Sequence, residues 1–111
     1  MGHPFHVYDA ALAMVTAFRP ILERLGRADR SLADQLRRAA SSVVLNIAEG
    51  NRRTGQDRLH FFRIAAGSAA EVRAVLEVSR AWDLIPAVPA GERELDRVLA
   101  MLWRLVHPRR P

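Results

Sequence analysis

The chain has 111 residues, 50% of them hydrophobic and none of them cysteine, and its 17 basic and 12 acidic side chains leave a formal charge of +5. Length and composition predict one domain, residues 1–111, with a core of its own, and exclude disorder, disulfides and cysteine-based metal sites. No apolar run reaches the roughly 18 residues of a membrane span. The opening MGHPFHVYD lacks the charged and apolar regions of a secretion signal, and His6 stands where myristoylation requires Ser or Thr. A soluble cytoplasmic protein with no membrane partner is the expectation.

All 17 basic residues are arginine, and the pI is near 11.3. The guanidinium is a planar two-pronged donor suited to phosphate, which favours an acidic or nucleic-acid partner. A GC-rich genome would also replace Lys by Arg throughout. That accounts for the missing lysine, but not for the positive excess.

The first helix is predicted over residues 8–25, because Val7, Ala11, Met14, Phe18, Ile21 and Leu25 recur at spacings of three and four. Pro20 should kink this helix or end it near Arg19, and Gly26 reads as the C-cap. After a charged link, a second helix spans about 32–49, with Ser31 as N-cap, Asp34 in the first turn and Gly50 as the stop. Its inward stripe is Leu32, Leu36, Ala39, Ala40, Val43 and Ile47. Val44 and Leu45 lie off that stripe, Leu45 on the opposite side, which predicts a second buried surface in contact with another subunit, in preference to a single tolerated exposed Leu. A turn, 51–55, leads to the longest helix, about 56–83, with Thr54 and Asp57 as a weak cap signal. Its stripe is read as Phe61, Ile64, Ala65, Ser68, Val72, Val75, Leu76 and Ser79. The run 65–70, Ala-Ala-Gly-Ser-Ala-Ala, predicts close approach of a neighbouring helix at Gly67. Residues 84–91 form a loop with Pro86 and Pro89. A fourth helix, about 92–107, turns Leu95, Val98, Leu99, Leu102, Leu105 and Val106 inward, and a basic tail follows. The sum is all-α, an antiparallel up-down four-helix bundle.

No nucleophile, metal-ligand set or phosphate loop is present, so no catalytic residue, metal or cofactor is assigned, and the protein reads as a non-enzyme. Glu49 lies near a helix C-terminus, where the dipole disfavours a carboxylate, so Arg52 and Arg53 should answer it. Glu71 borders the apolar stripe of the third helix. Glu49 and Glu71 are the only candidate acid/base pair, and a structural role held by arginine and amide hydrogen bonds is the preferred reading. His3, His6, His60 and His107 lack metal-ligand spacing. Trp82 and Trp103, near helix ends, read as packing anchors. The candidate phosphate-contacting residues are Arg37 and Arg38 on the second helix, Arg52 and Arg53 in the turn, and Arg58 and Arg63 on the third helix. The sequence has no helix-turn-helix, zinc-finger or aromatic RNA-binding signature, so binding would be directed at the backbone and weakly sequence-specific.

The stretch Asp34–Val78 contains Gln35–Ala39, Ser42, Val43 and Asn46–Gly50 (NIAEG), then Phe61, Phe62, Ile64, Ala65, Gly67, Ser68 and Glu71. In these residues the chain resembles the bacterial family of 23S rRNA intervening-sequence proteins. The resemblance implies a four-helix bundle that assembles as a homopentamer, and kinship with the basic pentameric accessory proteins of diversity-generating retroelements. It also marks Asn46, Glu49, Gly50, Gly67, Ser68 and Glu71 as structural motif residues. It supplies a fold and an assembly rather than a reaction. The chain departs from the family in having only arginine, and in Arg58, at a position often aromatic in relatives.

Two functions follow as expectations. The first is a basic homopentamer that binds RNA or DNA through phosphate contacts. The second is a scaffold or adaptor for a nucleic-acid-processing protein, using the off-core apolar residues Val44, Leu45 and Trp103.

Overall fold

The computed structural model describes residues 4–87 and 89–108, with side chains from residue 6 onward. Among the described residues five helices form: α1 (Pro4–Ala17), α2 (Arg19–Ala28), α3 (Arg30–Asn51), α4 (Gly55–Ala81) and α5 (Glu92–Val106). The expected four helices are corrected to five because the first is divided. Pro20 has no N–H to donate and its ring crowds the preceding turn, so α1 stops at Ala17 and α2 restarts with Pro20 in its first turn. The division is slight. Phe18 keeps right-handed helical angles, its N–H donates to Met14 O, and its own carbonyl accepts from Leu22. The stripe Val7, Ala11, Met14, Phe18, Ile21 and Leu25 therefore stays on one face across the break, and all six residues are buried. His3 and the tail from Arg109 lie outside the described residues.

Helix ends differ from the sequence reading in four places, the first being that α1 begins at Pro4 rather than at residue 8. Gly26 lies inside α2, and the chain reverses at Asp29, whose N–H donates to Leu25 O. Asp29, not Ser31, is the N-cap of α3, its carboxylate accepting from Leu32 N at 3.0 Å. A cap at Asp29 leaves room for only one non-helical residue between α2 and α3. Gly50 does not end α3, which continues through Asn51. Thr54 does occupy the N-cap of α4, but its hydroxyl makes no capping bond, and Asp57 supplies the acidic group of the first turn.

α4 packs along α3 in the opposite direction, and α5 returns along α4; α1 lies against α3 and α5, and α2 against α3. The outcome is a rod of 47 × 20 × 19 Å. The inner stripe of α4 is corrected. Phe62, Ala65, Ala69, Val72, Val75, Leu76 and Ser79 are buried, whereas Ile64 is 39% exposed and Phe61 only half-buried. Gly50 explains the phase. A β-carbon at position 50 would sit 2.6 Å from the Phe62 ring, so the glycine makes the space that admits Phe62 to the core. Gly91 does the same for Phe18: its φ of +98° is left-handed, and any side chain would overlap the Phe18 ring.

The α4–α5 connection is closed by a hydrogen-bonded turn and an ion pair. Asp83 adopts φ +60°, Asp83 N donates to Arg80 O, and Leu84 N donates to Ser79 O. This paired arrangement satisfies the last carbonyls of α4. Arg80 Nη1 then donates to Glu92 Oε2 at 2.7 Å and to Ala87 O at 3.3 Å. Glu92 is in the first turn of α5, where the helix dipole favours an acid. Two turns further back on α4, Arg73 is paired with Asp96.

Candidate nucleic-acid interface

Two polar features mark the α3–α4 pair, and each includes a motif residue. In the middle, Asn46 Nδ2 donates to the Ser42 carbonyl (2.9 Å) and to Ser42 Oγ (3.0 Å), and Ser42 Oγ lies 2.8 Å from Ser68 Oγ. A half-buried hydroxyl pair in an otherwise apolar seam favours one register between the two helices, because slipping it leaves these groups unpaired.

At the end, Glu49 engages both turn arginines. Arg53 Nε and Nη2 donate to Glu49 Oε2 at 3.0 and 2.7 Å, and Arg52 Nη2 donates to Oε1 at 2.9 Å. The Arg53 bonds, with the charge of Arg52 and its hydrogen bond, hold the Glu49 carboxyl below the usual glutamate value of 4.5 against the opposing effect of burial. Arg53 also stands 4.0 Å from Asp57 and over the Phe61 ring, 5.1 Å from its centroid. Arg58 donates to Arg53 O at 3.3 Å and lies 5.5 Å from the centroid of Phe62. These guanidiniums are therefore held in place by carboxylate, carbonyl and ring faces together.

The structure brings only part of the candidate set together. Arg52, Arg53 and Arg58 crowd one end of the rod. Arg63 follows on α4, exposed and free of any ion pair among the described residues. Arg37 and Arg38 are elsewhere: Arg38 is about 21 Å from Arg52 along α3 at 1.5 Å per residue. Arg37 makes a long contact of 3.4 Å to Asp34. Arg38 is exposed beside a shallow groove that it lines with Arg30, Ser31, Asp34 and Gln35.

Three further expectations are corrected. Glu71 is exposed and bonded to nothing among the described residues. With Ser42 opposite Ser68 on antiparallel helices, Glu49 and Glu71 sit about 15 Å apart along the axis, so they do not form an acid/base pair. Gly67 points outward with no atom within 4 Å of where its β-carbon would stand, so it mediates no close approach inside the chain. Trp82 and Trp103 are 72% and 60% exposed rather than packed, and Trp103 stacks on His107 at 4.3 Å. The reading of both as packing anchors is corrected, while the off-core placing of Trp103 agrees with its exposure.

Leu45 is where the off-core reading placed it, 68% exposed. It forms an apolar groove with Leu12, Val15, Ser41 and Val44, between α1 and α3. Among the described residues no three His, Asp or Glu side chains cluster as metal ligands, and no helix is long and apolar enough to cross a membrane.

The fold and the turn define the class, a small basic all-α bundle. The chain belongs to the 23S rRNA-intervening sequence protein family, whose profile matches residues 4–104, as the NIAEG-centred motif indicated. A crystal structure of a protein of unknown function from the S23 ribosomal protein family of Bacteroides thetaiotaomicron VPI-5482 is similar to it. The TM-score is 0.66 and the identity 17%, covering 91% of this chain and 92% of that one. That likeness concerns the fold. Comparison with curated proteins gives no match.

Proposed function

We propose that this chain is a non-enzymatic, cytoplasmic bacterial protein that assembles as a homo-oligomer, a pentamer by family resemblance, and binds RNA or DNA through phosphate contacts. The observation that carries the reading is the arginine-rich end of the rod, where Arg52, Arg53 and Arg58 converge and Arg63 follows on α4 with no ion pair among the described residues. Arg58, oriented by a carbonyl and a ring face, loses less side-chain freedom on meeting a phosphate. A ring of copies would repeat the cluster and multiply its field. The family's description, which ties it to the 23S rRNA intervening sequence, favours RNA.

Support for assembly comes from the outer surface. Leu45, Ile64, Val78, Trp82 and Trp103 are large apolar side chains left at least 39% exposed, more than a small monomer needs. The test is light-scattering mass on nuclease-treated protein, followed by RNA binding over a salt series. A mass several times 12.4 kDa, with affinity falling steeply as salt rises, supports the proposal. A monomer, or affinity indifferent to salt, overturns it.

The apolar groove at Leu12, Val15, Val44 and Leu45 favours the second reading, a scaffold for a nucleic-acid-processing protein. Its mark would be a partner retained after nuclease treatment and lost on Leu45→Asp.

A further inference from the structure

We infer that Glu49 is a built-in competitor for phosphate at the α3–α4 turn, so that Arg52 and Arg53 are masked until the ligand displaces a carboxylate. The inference rests on the proposal that this turn contacts phosphate. Both Glu49 oxygens are engaged, by three charge-assisted hydrogen bonds of 2.7–3.0 Å from two guanidiniums. A carboxylate and a phosphate use the same fork of the guanidinium, so they exclude one another at Arg53, where Nε and Nη2 already grip one oxygen. Among the described residues the Glu49 carboxylate has no other hydrogen-bond partner, and it sits in the last turn of α3, where the dipole works against an anion. It is held there by the arginines alone, and its side chain remains 27% exposed, open to exchange.

Arg58 makes the contrast. Its partners are a carbonyl and the face of Phe62, neither of which takes the place of a phosphate charge. Arg58 and Arg63 are thus available at once, whereas Arg52 and Arg53 become available only when Glu49 lets go. Asp57, 4.0 Å from Arg53, is too distant to replace Glu49 without movement of the side chains.

The experiment measures binding of a short fluorescein-labelled single-stranded RNA to the full-length protein across a sodium chloride series, for the native sequence and Glu49→Gln. Masking predicts that Glu49→Gln binds about three- to tenfold tighter at low salt. Its log–log salt slope should steepen by about 0.7 for each phosphate newly contacted. Arg52→Ala should cost little in the native sequence and much more in the Glu49→Gln background, a coupling that a double-mutant cycle reads directly. Equal or weaker binding by a helical, folded Glu49→Gln protein overturns the inference, since Glu49 would then be orienting the arginines or be idle. If Glu49→Gln does not fold, the double substitution Arg52→Ala with Arg53→Ala decides. Less than about twofold loss supports masking, and a loss with a salt slope shallower by about 1.4 overturns it. RNA binding by neither the native protein nor Glu49→Gln overturns the proposed function itself, which is a different result from binding that ignores Glu49.

Discussion

Two glycines in this chain do opposite things, and the difference is steric. Gly50 lies under the Phe62 ring, 2.6 Å from where a β-carbon would be, and Phe62 is too deeply buried to swing away. Gly67 has open space at the same point. Gly50→Ala should therefore destabilise the protein by about 1–3 kcal/mol through overpacking, while Gly67→Ala should stabilise the helix by about 1 kcal/mol. Urea unfolding of the two variants checks the signs, and two shifts of the same sign would refute the packing argument. Glu49 adds a pH dependence. Its folded pKa is depressed, chiefly by the Arg53 hydrogen bond, so its contribution is complete above the ordinary value of 4.5 and is lost as pH falls through the lower folded value. In a melting-temperature profile against pH, Glu49→Gln should flatten the fall seen below 4.5 and lie lower than the native protein above it. Parallel curves would show that the turn pairing contributes nothing to folding.

Among the elements, α4 is the one least readable from sequence. Its centre is a run of Ala, Gly and Ser, so apolar and small residues surround the whole helix and carry little phase. Phe61 and Phe62 are adjacent, and either could have pointed inward. The choice is made by α3, whose Gly50 accommodates Phe62, and by the hydroxyl contact of Ser42 with Ser68. The α1–α2 stripe was legible because large residues stand at regular spacing with polar residues between them, and the division at Pro20 did not rotate that face. The boundary at Asp29 was missed because Ser31 with Asp34 offers a competing cap pattern two residues later. At the other end of α4, Arg80 ties the helix to Glu92 and to the loop carbonyl of Ala87, with both side chains at most one-quarter exposed. Arg80→Ala should cost about 1–2 kcal/mol. It should also raise amide exchange in the 84–91 loop, measurable by hydrogen exchange with mass spectrometry. Unchanged protection there would mean that the turn at Asp83 suffices to hold the connection.

For the whole molecule, the outer faces carry what the core does not explain. Gly67, Ile64 and Val78 are exposed on α4, a narrow apolar strip with room for a neighbour. Gly67→Leu should leave the protomer's own packing intact, with helicity retained and stability raised by up to about 1 kcal/mol, as for Gly67→Ala, because it faces open space. It should nevertheless reduce the light-scattering mass if α4 is a contact between copies. Unchanged mass would move the search for the contact to the Leu45 groove or to Trp103.

By itself the sequence determined the helical class, the family motif, the basic character and the inward stripes of α1, α2, α3 and α5, since each follows from spacing and composition along one helix. It also gave the pairing of Glu49 with Arg52 and Arg53, because those residues are neighbours at the end of the same helix. The tertiary structure alone decided the phase of α4, the roles of Gly50 and Gly91, the separation of Glu49 from Glu71, the division of the arginines into two distant groups and the exposure of Trp82. Each depends on which side chain of one helix meets which gap in another, a distance between residues far apart in the chain that no local spacing encodes.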